Sequence, residues 1–222
     1  MSRMAHPNHP IMTPLPTQIP LFPLRGFILL PGAELPLNVF EPRMVALLQD
    51  ALAHDRVIGI IQPQDKETDL YSVGCAGRIT QFTELENDRY LITLSGLSRF
   101  EIESTHITTD HYYKADVKWI DTNIIEPWPT HYTPSHCRQK FKTLLDHYLA
   151  REHIAIDWDE AMQVSESRFY TIVTMLVPLS PQEKQALLEA KNFETRCDML
   201  YRLLDRNVTN HDYKDDNIRS IH

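Results

Sequence analysis

The chain is poor in the residues that build phosphate loops, disulfide frameworks and membrane spans. Only 6 of its 222 residues are glycine. No glycine is followed by lysine, which rules out the loop G-x-x-x-x-G-K-[ST], whose N–H groups cradle phosphates while its lysine reaches them. The three cysteines, Cys75, Cys137 and Cys197, form no C-x-x-C pair, so zinc-knuckle and thioredoxin-like chemistry is missing. They read as buried free thiols in a reducing compartment. No apolar run approaches the ~20 residues of a transmembrane helix. The start, MSRMAHPNHPIMTPLPTQ, lacks the run of ~7 apolar residues that forms a signal-peptide core. The chain therefore reads as cytoplasmic, with no membrane partner. Basic residues are also short: 22 Lys and Arg against 30 Asp and Glu, a net charge of −8. That balance disfavours nucleic acid, whose phosphates need clustered cations to replace counterions.

Catalytic constellations are missing as well. There is no G-x-S-x-G elbow. Eleven histidines are present, but none lies in H-E-x-x-H. The pairs His106/His111, His131/His136 and His147/His153 read as surface or capping residues. His136 and Cys137 are adjacent, and adjacent helical residues do not face each other. Asp157, Asp159 and Glu160 read as charges complementing a helix N-terminus. The expectation is no catalytic residue, no metal and no cofactor.

What the chain does have is organised in two parts. Residues 1–18 are proline-rich and polar, a loose arm. Ile19 to Leu24 reads as an edge strand, because Pro20 and Pro23 cannot donate to a ladder. Gly26, Pro31 and Gly32 bracket FILL as a bent connection, and Leu35 to Phe40 is extended. Pro42 suits the first position of a helix that runs to about His54, with Met44, Val45, Leu48, Ala51 and Leu52 on its apolar side. VIGIIQ is a buried strand and PQDKETDL a polar loop. Ser72 to Phe82 is extended, with Gly74 and Gly77 as bulge candidates. ENDR turns a hairpin whose return strand puts Tyr90, Ile92 and Leu94 on one face. SGLSR is expected to turn again. Phe100, Ile102, Tyr113, Ala115, Val117 and Trp119 are expected to point inward. The β-rich unit thus spans 19–122, with six or seven strands and one helix.

Residues 123–134 read as a linker, and 135–206 as a helical subdomain. Ser135 can cap a helix to about Glu152 that carries Phe141, Leu144, Leu145, Tyr148 and Leu149. Asp157 or Asp159 can start another that ends before Pro178. Ser180, Pro181 and Glu183 form a capping-box signature. The last helix runs from Phe193 to about Arg206, with Cys197, Met199 and Leu203 inward. Residues 207–222 read as a polar, frayed tail.

Several segments, in order, resemble the amino-terminal substrate-recognition domain of the Lon protease family. They are PLFPLRGFILLPGAELPLNVFEPRMVALLQDAL, DLYSVGCAGRITQF and YLITLSGLSRFEI. VPLSPQEKQALLEAKNFETRCDML is similar to the helical region that follows in that family. The resemblance implies an α+β fold: barrel-like, PUA-like twisted β-sheets with one helix, then a C-terminal helical bundle. It also implies contact with unfolded protein substrates. The family's ATPase loop and its serine motif, similar to P-K-D-G-P-S-A-G, are missing, so a stand-alone, non-enzymatic domain is expected. Its partners would be apolar segments of unfolded or partner proteins. RNA binding, as in other PUA-like domains, and a regulatory role in a larger assembly are the alternatives.

The candidate binding residues are Arg25, Phe27, Leu29, Leu30, Glu41, Arg43 and Arg78. The arginines suit either a carbonyl clamp or a groove for a peptide. Phe27 to Leu30 suit either the core or an exposed loop that grips apolar segments.

Overall fold

The structure, a computed structural model, describes residues 15–64, 69–120, 138–161 and 163–219. Its first half holds β1 (Gln18–Pro23), β2 (Glu34–Val39), α1 (Pro42–Ala53), β3 (Val57–Ile61), β4 (Val73–Leu85), β5 (Arg89–Ile107) and β6 (Tyr113–Trp119). The second half holds α2 (Arg138–Arg151), α3 (Trp158–Ala161), α4 (Glu166–Leu176), α5 (Pro181–Glu189) and α6 (Phe193–Arg219). The α+β expectation holds.

The strands form one twisted sheet in the order β2-β5-β4-β3-β1-β6, with a further β5–β6 pairing. That last pairing closes five strands into a ring and leaves β2 outside it, so the sheet is a ring rather than a barrel. One long strand makes this possible. β4 pairs along one side of β5 from Arg89 to Glu101. On the other side, β2 pairs with Tyr90 to Ser95 and β6 with Phe100 to Ile107. The expected turn at SGLSR is therefore corrected: β5 runs straight through it. Gly96 is what allows this. Its N–H donates to the Ala33 carbonyl at 2.8 Å, and a Cβ there would sit 2.1 Å from the Leu30 carbonyl oxygen.

The edge-strand reading of β1 is also corrected. β1 lies between β3, parallel, and β6, antiparallel. Its prolines are tolerated by position. The Leu24 N–H donates to the Ile61 carbonyl, so even-numbered amides of β1 face β3 and odd-numbered ones face β6. Pro20 falls just before the β3 register starts at Leu21. Pro23 falls after the β6 register ends at Leu21. Each missing N–H therefore lies at the end of a ladder rather than within one.

Pro42 opens α1 as expected. Met44, Leu47, Leu48 and Ala51 are its buried face, which adds Leu47 to the stripe read from sequence. All five residues of β3 are buried. Asn87 and Asp88 adopt left-handed φ of 62° and 53° in the hairpin turn, a region their short polar side chains tolerate. Register shifts fall at Ala76/Gly77 and Ile79/Gln81, the first beside one expected bulge glycine.

The helical half packs around Phe141, Leu145, Phe169, Tyr170, Leu187, Leu200 and Leu204. The capping box is present: the Ser180 hydroxyl accepts from the Glu183 N–H, and the Glu183 carboxylate accepts from the Ser180 N–H at 2.9 Å. The single helix expected from Asp157 or Asp159 is two helices. Ser165 takes an extended conformation and accepts from the Arg168 N–H, which ends one helical path and starts α4. α6 continues past Arg206 to Arg219, because neither glycine nor proline interrupts it. In α6, Cys197, Leu200 and Leu204 are buried, while Met199 and Leu203 are half-buried. The linker, Ser135, Cys137, His131 and His136 lie outside the described residues.

Candidate functional site

The segment Arg25 to Gly32 joins β1 to β2 and is pinned at both ends. Gly26 and Gly32 have φ of 77° and 75°, which an L side chain would strain. The Gly26 N–H donates to the Gln62 carboxamide oxygen at 2.9 Å. Gln62 is 1% exposed. Its NH₂ donates to the Pro181 carbonyl at 3.0 Å and to the Gln185 side-chain oxygen at 3.1 Å. Gln185 in turn donates to the Val73 carbonyl at 2.9 Å and to Glu189 at 2.7 Å. Each amide therefore has its donors and its oxygen matched, as a buried polar group requires.

This network is part of a polar seam between the sheet and α5. Arg99 is buried and donates to the Leu188 and Ala190 carbonyls at 3.0 and 2.8 Å. Lys184 is buried and donates to the Met175 carbonyl. Desolvation lowers the Lys184 pKa to about 8, because burial disfavours the charged form. Sequence reasoning missed Gln62, Arg99, Lys184 and Gln185. A signal existed at two of them: Lys184 and Gln185 share the buried side of α5 with Leu187 and Leu188, three and four residues on.

The expected site residues divide between core and surface. Leu29 and Leu30 are 0% and 1% exposed and join Ile28, Met175 and Leu188 in one apolar cluster. As surface contacts they are corrected: the two glycine corners turn these side chains inward. Phe27 is 51% exposed. Arg25, beside it, donates to the Gln64 carbonyl at 3.1 Å. Arg78 donates to the Asp55 carbonyl at 3.1 Å, just past the end of α1, and its buried Nε has no hydrogen-bond partner among the described residues. Glu41 and Arg43 form an exposed ion pair at 3.1 Å, next to Phe40, which is also exposed. The structure thus gives the carbonyl-clamp geometry to Arg25 and Arg78, and a local surface pair to Glu41 and Arg43.

A second polar cluster ties α1 to β6. Asp50 pairs with Lys114 at 3.1 Å and with His54 at 3.3 Å. Burial, reinforced by Asp50, pushes the Tyr112 phenol up to about 12, so Tyr112 stays protonated at neutral pH. Burial likewise pushes the Cys197 thiol up, the opposite of a reactive cysteine. Among the described residues, no group of three His, Cys, Asp or Glu could hold a metal ion, and no helix is long and apolar enough to cross a membrane.

The ring with its trailing helices matches solved structures. The Lon N-terminal domain protein from Xanthomonas campestris superposes with a TM-score of 0.54 at 23% identity, covering 85% of this chain and 98% of that one. The N terminal domain of Mycobacterium avium complex Lon protease gives a TM-score of 0.57 at 16% identity, covering 87% and 99%. The fold is therefore that of a Lon N-terminal domain. Residues 18–206 match the family model described as the ATP-dependent protease La (LON) substrate-binding domain, and the chain belongs to that family.

Its relatives include Lon protease 2 of Myxococcus xanthus, 27% identical over 206 residues. Lon protease of Anaeromyxobacter dehalogenans is 24% identical over 199 residues. Each match covers 86% of this chain but 24% and 23% of the relative. The chain thus spans about a quarter of the length of these curated relatives.

Proposed function

We propose that this chain is a non-enzymatic protein-binding module that takes up exposed apolar segments of unfolded or partner proteins. Membership in a substrate-binding domain family supports protein binding in general. The observation that carries the apolar preference is Phe27. Its ring stands 51% exposed on backbone fixed by the Gly26–Gln62 bond on one side and by the buried Ile28, Leu29 and Leu30 on the other. A large apolar side chain held out on a rigid base loses little entropy when a partner covers it. Arg25 and Phe27 form the contact face in this reading, and Glu41 and Arg43 flank a second exposed aromatic, Phe40.

The test is titration of the full chain with a reduced, alkylated, permanently unfolded protein, in parallel with the variant Phe27→Ser. Burying the exposed part of a phenylalanine is worth on the order of 1–2 kcal/mol, so the variant is expected to bind about tenfold more weakly. Equal affinity of the two proteins, or no binding by either, refutes the reading.

A further inference from the structure

The β4–β5 hairpin runs out beyond the ring. Every residue from Thr80 to Arg89 is exposed. The β3 register ends at Val57↔Arg78, and the Ile79 N–H makes one further bond, to the Arg56 carbonyl. Past that point, among the described residues, β4 pairs with β5 alone. The Gly96 N–H points to β2, so alternation turns the odd-numbered amides of β5 toward β4. The Thr80 hydroxyl accordingly donates to the Thr93 carbonyl at 3.1 Å. Thr93, Leu91 and Arg89 are in register with Gln81, Thr83 and Leu85. The backbone N–H and C=O of Phe82 and Glu84 therefore face away from the sheet.

β2 is the other open edge of this blade. The same alternation turns Glu34, Pro36 and Asn38 outward, and Pro36 has no N–H to offer. Proline is a common way to blunt an edge against strand addition. The β4 edge has no such block. It carries Phe82, 44% exposed and stacked on Tyr90 at 5.4 Å. On its opposite face Leu85 and Leu91 are diagonal neighbours, both exposed. Glu84, Glu86 and Asp88 surround the tip, with Arg89 as the cation there.

We propose that the outer edge of β4, from Gln81 to Leu85, takes up an extended segment of a partner protein as an added strand, and that this segment carries an apolar and a basic residue two positions apart. The proposal rests on the protein-binding reading above but uses a different surface. Main-chain bonds to Phe82 and Glu84 give affinity, and side chains of alternate residues give selectivity. Phe82 and Glu84 are two apart and share a face. The partner's side chains on that face, also two apart, meet an aromatic ring and a carboxylate. A second copy of this chain would set one acidic tip against another, which disfavours self-pairing.

The test titrates the full chain with an extended peptide of the repeat Leu-Thr-Lys-Thr, which sets leucine and lysine two apart on one face. Two further copies are N-methylated on alternate amides, in opposite phases. One phase is expected to weaken binding about tenfold and the other to leave it unchanged, because one row of amides faces the edge. Glu84→Lys, and Glu84→Pro, which removes an outward N–H and keeps the β5 pairing, should weaken binding similarly. Glu103→Lys, a charge reversal elsewhere on β5, should leave it unaltered. Equal binding of both methylated phases, binding untouched by Glu84→Lys, or no saturable binding overturns the strand-addition inference. Loss with Phe27→Ser alone also overturns it, yet leaves the protein-binding reading standing.

Discussion

Arg99→Met tests the seam between sheet and helices most directly. The Arg99 guanidinium is buried and donates to two carbonyls at the end of α5. A cation there also meets the negative end of the helix dipole. A hydrogen bond to a charged group contributes about 1.5–3 kcal/mol, so two give about 3–6 kcal/mol. Methionine keeps most of the volume and removes a desolvated charge, which returns about 1–2 kcal/mol of that loss. The net expectation is a loss of about 1–5 kcal/mol, and the middle of that range lowers Tm by roughly 10 °C for a chain of this length. Thermal unfolding followed by circular dichroism measures the total. Hydrogen exchange locates it: amides of α5 should lose protection while those of β3 and β4 keep theirs. A Tm within about 2 °C of wild type, or an equal loss of protection in the ring, would refute the reasoning.

Two further outcomes follow from buried groups. Gly96→Ala sets a Cβ against the Leu30 carbonyl, a backbone atom that cannot rotate away; the expected cost is at least about 3 kcal/mol, the upper end for overpacking, and urea unfolding near that of wild type would contradict it. For Lys184, the unfolded pKa is 10.5 and the folded value about 8. Between these the unfolded chain holds a proton that the folded chain lacks, so stability rises as pH climbs from about 8 to about 10.5. Lys184→Met should remove that rise in urea unfolding, and parallel pH slopes for the two proteins would refute the assignment.

The local elements were legible because local rules dictate them. Pro42 opening α1, the Ser180–Glu183 box and the Tyr90/Ile92/Leu94 face each depend on residues within four positions. The misreadings came from distant partners. β1 looked like an edge because its prolines lack donors, and only the registers of β3 and β6 show that each proline falls at the end of a ladder. SGLSR looked like a turn because glycine breaks strands, yet Gly96 is there so that the Leu30 backbone can approach. Ile28 to Leu30 could be read as core or surface. The choice was made by Leu188 and Met175, more than 140 residues later in the chain. Among the candidate contact residues, Phe27 was named from sequence as either core or exposed loop, and only the structure shows it exposed. The buried amides and cations of the seam were not named, because nothing local distinguishes a buried Gln62 from a solvated one.

The ring also sets the order in which this protein can fold. Gln18 hydrogen-bonds Asp116 across 98 positions of sequence, and β1 must find both β3 and β6 before the ring closes. Closing a loop of that length carries an entropy cost that comes before the contacts it allows, and topologies dominated by such contacts fold slowly. During synthesis the ring cannot close until Trp119 has emerged, and α5 can seal the seam only after residue 189. Until Phe100, Ala115 and Val117 have emerged, Val57 and Ile61 of β3 lack the side chains that bury them in the finished protein, so the nascent chain passes through a stage in which apolar surface is exposed.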